Sequence, residues 1–541
     1  MRLFRQININ GFTFIRALCC LCVLLPFIYL FISAFSPAGQ HWQYVKEHML
    51  PIYLWETFVL ALSCGLCTLV LGVTLAWLIS MYDFKGKRFF EAALVLPLAI
   101  PPYIAAYTYD GLLNYTGTVQ SFMRNVLNVD ISNLGVNVPA MIWAVFVFSF
   151  TLFPYVYMLA RTFLRNQSAA LFENAILLGN GRLRMFRKVA LPLLMPAASA
   201  GMILACLEVL NDFGVVSYYG LNTFTTAIFS AWFGMGDSDT AIRLATILLV
   251  LVLMVLLLRK AMQRDQRYRI VSSREKKFTP RSLSGARQGL CFAICLLVAC
   301  LGFFIPLAQM CYWLYFTWES AWSPALFKAL SYTLYISLIA TFIIMLCATG
   351  TINANRQYGG KRAAILAQIN TLGYSIPSAV LAIGVITFFI TLDNWLSTHL
   401  FKGFSLSMSS VMLIFALSVR FFTIGYQSVE TGFAKIGMIY SEASRTLGRG
   451  VAQTFFRIDL PLVRHAILSG AVLVFIDILK ELPLSLILRP FNSETLGSTV
   501  YHYVNNEVLE EIALPSLLIV LVGAIFIILM QYLENKAGRS G

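Results

Sequence analysis

The chain has 541 residues, 59% of them hydrophobic and only 12% charged, with a mean hydropathy of +0.76. So much apolar surface exceeds what one water-soluble core can bury, which excludes a soluble globular domain and implies an integral membrane protein solvated by lipid. The net charge of +15 raises nucleic acid as a partner, but where the charges lie matters more than their sum.

A bilayer core takes about 20 apolar residues per helix, and windows of that length occur at roughly twelve places. The predicted spans begin near Ala17, Thr57, Glu91, Pro139, Pro192, Ala241, Gly289, Ala329, Arg362, Leu406, Pro461 and Ala513. Long runs of Leu, Phe, Ile and Met argue for helices, since a spanning barrel would show short alternating segments. The predicted fold class is an all-α polytopic bundle. The first run, 17–35, follows a basic N-terminus as a signal peptide does, but it is long and lacks a small-x-small exit, so an uncleaved first span is expected.

Reading the loops alternately, most Lys and Arg fall on one side, including Arg2, Arg5, Lys85, Lys87, Arg88 and the run from Arg259 to Arg287. The other side holds Lys46, Arg124, Lys328, Lys402 and Arg489, while Arg243, Arg420 and Lys480 lie within or near spans. By the positive-inside rule both termini are expected in the cytoplasm. The eleven cysteines sit almost wholly inside predicted spans, where a thiol acts as a small hydrophobe. Cys64 and Cys67 spell C-x-x-C, but with no second pair or nearby His this carries little metal or redox meaning.

The polar stretch from Glu173 to Leu193, "ENAILLGNGRLRMFRKVALPL", returns after 269 positions, the separation of Glu173 and Glu442, as "EASRTLGRGVAQTFFRIDLPL". The shift superposes Gly179 on Gly448, Gly181 on Gly450, Phe186 on Phe455 and Pro192 on Pro461. Earlier, the separation of Thr57 and Thr333 also places Pro101 on Pro377. Self-similarity at a fixed offset marks a duplication. The chain divides into a first half (1–260), a basic linker rich in Ser and Pro (261–288) and a second half (289–541). About six spans per half return the chain to its starting side, so the halves are parallel repeats.

In the repeated segment, Ser441 before Glu442 and Ala443 suits a helix start, with acid complementing the helix dipole. Gly448 and Gly450 permit a bend. Pro461 and Pro192 suit the first turn of the fifth span, where a missing N–H costs nothing. The expectation is a cytoplasmic elbow, a short helix followed by a bend and a second helix, whose small-residue face could enter a groove in another protein.

Both segments resemble the EAA loop of permease subunits of binding-protein-dependent ABC importers: Glu-Ala-Ala, three residues, Gly, then a stretch ending in apolar-Pro. The resemblance implies the type I importer permease fold and a coupling helix that docks into an ATPase subunit. Glu173, Ala175, Gly179 and Pro192 match in the first half, and Glu442, Ala443, Gly448 and Pro461 in the second. Asn174 and Ser444 depart from the pattern, which leaves the packing of the loop open. The segments 94–113, 212–237 and 479–496 look like fused ferric-iron permeases, with thiamine and aminoalkylphosphonate permeases sharing the layout. The implied partners are two ATP-binding cassette ATPase subunits, a periplasmic binding protein and membrane lipid, in a bacterial inner membrane. No G-x-x-x-x-G-K-[ST] phosphate loop is present, so the chain is expected to bind no cofactor, with ATP and Mg²⁺ on the partner.

Glu208 with Asp212, and Asp477 with Glu481, are acids at i and i+4 near the end of each fifth span, as if sharing one helix face. Intramembrane acids avoid lipid; they line a translocation pathway, or they serve a structural role, pairing with Lys480 or capping a helix before Gly214 and Pro483. No firm metal site is expected. Tyr103, Tyr107, Tyr109, Tyr218 and Tyr219 could assist a hard ferric ion, but an interfacial aromatic belt is the simpler reading. An ion-coupled secondary transporter would share the helix count but needs no paired elbows; a channel lacks its filter signature here.

Overall fold

The computed structural model describes residues 11–37, 39–128, 138–165, 167, 182–263, 280–357, 360–370, 373–399, 405–407 and 409–537. Among these, eleven helices are long and apolar enough to cross a bilayer, or twelve if the segments Lys87–Ala99 and Pro102–Val126, bent by 95°, make one broken span. In chain order the helices used below are α1 (Gly11–Ser33), α2 (Leu50–Met81), α3 (Lys87–Ala93), α4 (Pro102–Leu113), α5 (Ala140–Arg165), α6 (Leu191–Asn211), α7 (Gly214–Tyr218), α8 (Phe224–Phe229) and α9 (Ser238–Gln263). They continue with α10 (Gly285–Ala299), α11 (Ile305–Ala321), α12 (Pro324–Gln357), α13 (Ser378–His399), α14 (Ser410–Ile436), α15 (Ile439–Thr446), α16 (Leu460–Leu479), α17 (Pro483–Leu488), α18 (Leu496–Asn505) and α19 (Ala513–Ala537).

The helices gather into two compact units that cut across the sequential halves. One unit comprises Met1–Gln43, Ile228–Leu249 and Ser323–Thr499. Within it α12, α14 and α16 pack on one another, and α1, from the first half of the sequence, lies against α12 and α13. Small residues make the close approaches, as interhelical packing in lipid requires. A Cβ at Gly384 would stand 2.8 Å from the Pro26 carbonyl oxygen, and one at Gly470 would stand 2.7 Å from Ser428 Cβ.

The other unit comprises Tyr44–Ala227, Val250–Trp322 and Val500–Gly541. Its centre is the trio α2, α5 and α6, with α19 set against α11 and the turn Leu96–Ala99. Gly72 and Gly201 approach Val156 of α5 from two sides; added Cβ atoms would meet it at 2.5 and 2.6 Å. Gly201 and Gly470 are equivalent under the 269-position shift, so both units seal their fifth span at the same turn.

The third span of the first half breaks where Pro101 and Pro102 offer no N–H to continue a helix. In the second half the apolar window expected near Arg362 likewise does not run through Pro377, and the membrane-length helix is α13.

A π-helical turn precedes the leading x-Pro of four helices: Val45–Met49 before Pro51, Phe186–Ala190 before Pro192, Cys300–Phe304 before Pro306 and Phe455–Asp459 before Pro461. The proline ring clashes with the carbonyl four residues back, and a wider turn moves that carbonyl aside. The fifth spans therefore do not begin at Pro192 and Pro461 as the sequence suggests. They are continuous helical segments, Phe186–Asn211 and Val451–Leu479.

Of the linker, 264–279 lie outside the described residues. Its end is not free: Arg281–Ser282 pairs in parallel with Tyr82–Asp83, and Leu283 N–H donates to the Asp83 carbonyl at 2.8 Å.

Candidate coupling elbow and intramembrane acids

The second elbow is a helix, a bend and a helix. α14 ends at Gly437, whose φ of +70° turns the chain out of the helix. α15 then runs for eight residues with Glu442 in its first turn. Ser441 does not cap it, because the helix has already begun at Ile439; the hydroxyl is buried and donates to Asp459 Oδ1 at 2.6 Å. Gly448 reverses the chain at φ +79° in open space, and a further helical turn, Val451–Thr454, leads through the π turn into α16.

Behind the elbow lies a buried polar cluster that no short motif announces. Ser444 and Thr454 hydroxyls meet at 2.9 Å. Arg356, from the end of α12, places Nη1 3.6 Å from Asp459 Oδ1 and its guanidinium 4.2 Å above the Phe433 ring. In front, Glu442, Ala443 and Gly448 are exposed, beside Ile439, Tyr440 and Leu447, which are 74%, 55% and 82% exposed. The loop is thus fixed from behind by buried polar contacts and exposes large apolar side chains in front.

Of the first elbow, Glu173, Ala175 and Gly179 lie outside the described residues. Pro192 is described, at the second position of α6. The repeated aromatic packs alike in both copies: Phe186 lies 4.9 Å from the Trp77 ring, and Phe455 5.0 Å from Phe12.

The acids do not share one helix face, because each fifth span ends before the second acid. α6 stops at Asn211 and α16 at Leu479. Asp212 Oδ1 accepts the Val215 N–H at 2.7 Å, capping α7. Glu481 Oε1 accepts the Leu484 N–H at 3.3 Å, at the start of α17. Asp477 pairs with Lys480 at 2.6 Å, and Glu208 is partly buried on α6.

Glu481 alone is deeply buried. Its Oε2 stands 3.3 Å from Arg420 Nε, and its Oε1 takes the Ser378 hydroxyl at 2.7 Å. Arg420 also donates to the Ile376 carbonyl at 3.2 Å. The duplication repeats these small devices: Thr57 accepts the Phe224 N–H at the start of α8, and Thr333 the Leu496 N–H at the start of α18.

The tyrosines are not an interfacial belt. Tyr103, Tyr107 and Tyr109 are buried within their unit, Tyr107 packs edge-on to Tyr218 at 4.8 Å, and the Tyr218 hydroxyl donates to Asp110 Oδ2 at 2.7 Å. All eleven cysteines are free, with Cys64 buried and Cys67 exposed. Among the described residues no group of three His, Cys, Asp or Glu could hold a metal ion.

Comparison with known proteins identifies the family. The family "Binding-protein-dependent transport system inner membrane component" matches twice, over residues 68–269 and 340–538. The chain is 23% identical to Fe(3+)-transport system permease protein FbpB 2 of Haemophilus influenzae, over 94% of this chain and 95% of that one. It is 29% identical to the sulfate transport system permease protein CysT of Salmonella typhimurium, over 38% of this chain and 71% of that one. Two matched segments, which together cover most of the chain, lead to one conclusion: the chain belongs to the family of inner membrane components of binding-protein-dependent transport systems.

Proposed function

We propose that the chain is the two-half permease subunit of an ATP-driven importer that carries ferric iron from a periplasmic binding protein into the cytoplasm. The similarity to an iron permease along nearly the whole of both chains carries this reading, while the sulfate permease aligns with 38% of the chain. The two elbows face the cytoplasm and each docks on one ATPase subunit, the second through the exposed face that carries Glu442, Ala443 and Leu447. ATP closes the ATPases and draws the elbows together, rocking the halves between outward- and inward-open states, which is alternating access driven by differential binding.

ATP and Mg²⁺ stay on the partner, and this chain hydrolyses nothing. The acids divide between roles: Glu208, partly buried along α6, is assigned to the pathway, whereas Asp212, Asp477 and Glu481 hold the ends of the fifth spans. Carboxylates along the route would suit a hard trivalent cation.

Reconstitution with the ATPase and binding protein tests the proposal. ATP-dependent accumulation of labelled ferric iron is expected. Transport without ATP would assign the chain to the secondary transporters. ATP-dependent uptake of thiamine or an aminoalkylphosphonate without iron would keep the class and change the substrate.

A further inference from the structure

Where α2 and α5 end and α3 begins lies a cavity of about 250 Å³. Its polar lining is Ser80, Lys87, Glu91, Arg161 and Arg165, with Pro280 from the end of the linker at its rim. Three cations face one carboxylate, and that carboxylate is engaged: Glu91 Oε2 takes Arg161 Nη2 at 2.7 Å. Two donors are left over. Arg161 Nε and the Ser80 hydroxyl are buried, and neither has a hydrogen-bond partner among the described residues.

Buried donors without acceptors are costly and rare in folded proteins. The missing complement is an anion with several oxygens at tetrahedral spacing, which can bridge a guanidinium edge, a hydroxyl and an ammonium together. A carboxylate offers two coplanar oxygens, enough for Arg161 Nε and Ser80 but with none for Lys87 and Arg165 beside them. We propose that this cavity binds one phosphate group, held by Arg161 Nε and Ser80 and neutralised by Lys87 and Arg165. Arg165 is the last residue of α5, from which the chain runs on to the Glu173 loop, so an occupied cavity fixes the exit into the first elbow. The phosphate comes either from an anionic phospholipid of the surrounding leaflet or from solution.

The full-length protein in neutral detergent, melted with inorganic phosphate and with sodium chloride at equal ionic strength, tests the soluble source. Nanodiscs of phosphatidylcholine with and without phosphatidylglycerol test the lipid source. A phosphate-specific rise in melting temperature marks a soluble ligand, and a rise only with phosphatidylglycerol marks a headgroup; either supports the site. The double variant Lys87→Gln/Arg165→Gln, which removes two of the three cations, should weaken the response at least tenfold, a loss of about 1.4 kcal/mol. Glu91→Gln should strengthen it, because the competing carboxylate is gone. A wild-type response matched by chloride, no response to either source, or a double variant that binds like wild type would overturn the proposal. A weaker response in Glu91→Gln would do the same.

Discussion

Ser441 donates its hydroxyl to Asp459 at 2.6 Å, fastening the elbow helix to the π turn at the head of α16. Any push on α15 therefore reaches the fifth span through a buried polar link instead of through a loose loop. Asp459 is 4% exposed and also faces Arg356. Replacing it by Ala leaves a largely buried guanidinium without its carboxylate, a loss of about 3–5 kcal/mol, whereas Ser441→Ala should cost about 1 kcal/mol. The expected outcome is that Ser441→Ala inserts normally but lowers uptake per ATP hydrolysed, while Asp459→Ala also lowers the melting temperature. Equal coupling ratios in wild type and Ser441→Ala would remove the link from the mechanism.

Gly448 and Gly450 separate backbone strain from surface contact. A Cβ at Gly448 meets nothing within 4 Å, but its φ is +79°, so Gly448→Val is penalised by conformation alone, by about 1–2 kcal/mol. Gly450 sits at φ −70° and tolerates Ala. Gly448→Val should reduce coupling several-fold with unchanged membrane insertion, and Gly450→Ala should behave as wild type. Uptake and ATPase rates on the same proteoliposomes decide it.

Arg420 and Glu481 form the most deeply buried ion pair among the described residues, at side-chain exposures of 4% and 7%. Arg420→Met or Glu481→Gln alone strands a charge and should destabilise by about 3–5 kcal/mol; the double replacement should recover most of that. Asp477 and Lys480 are more exposed, and Lys480→Met should cost less than about 1 kcal/mol. A thermodynamic cycle on melting in detergent measures both, and additive losses at Arg420 and Glu481 would contradict the pairing.

Asp237 links stability to pH. Burial pushes its carboxyl up, but N–H donors from Thr240 and His41 and the Thr240 hydroxyl outweigh burial and hold it below the usual carboxylate range. A depressed folded value means that the stabilisation is present above the unfolded value, about 3.9, and is lost as pH falls through the lower folded value. Amide exchange around residues 39–41 and 237–240 should quicken below about pH 4 in wild type. Asp237→Asn should abolish that step, since Asn still caps the helix but does not titrate.

The spans, the duplication and the elbow were legible because each has a local signal: a long apolar window, a repeated string, and Glu, Gly and Pro at fixed spacing. What was not legible depends on contacts between distant segments. Arg420 and Glu481 stand far apart in the chain, and nothing in either neighbourhood names the other. The i, i+4 reading of the acids assumed helices that continue, whereas both stop one or two residues short. Buried tyrosines and belt tyrosines look alike in sequence, since both sit at the edge of an apolar run. Pro101 and Pro377 entered the sequence reading only as matched positions of the repeat, and the apolar window around each hid the break that the structure shows.

The exchange of α1 into the unit built by the second half has a consequence for biogenesis. Ribosomes deliver about 5–20 residues per second, so the face of α1 around Pro26 enters the bilayer on the order of tens of seconds before Gly384 is translated to meet it. During that interval lipid or an insertase must shelter the uncovered helix. Joining both halves in one polypeptide keeps the waiting helix tethered to α12 and α13, against which it packs, where two separate chains would have to find each other by diffusion.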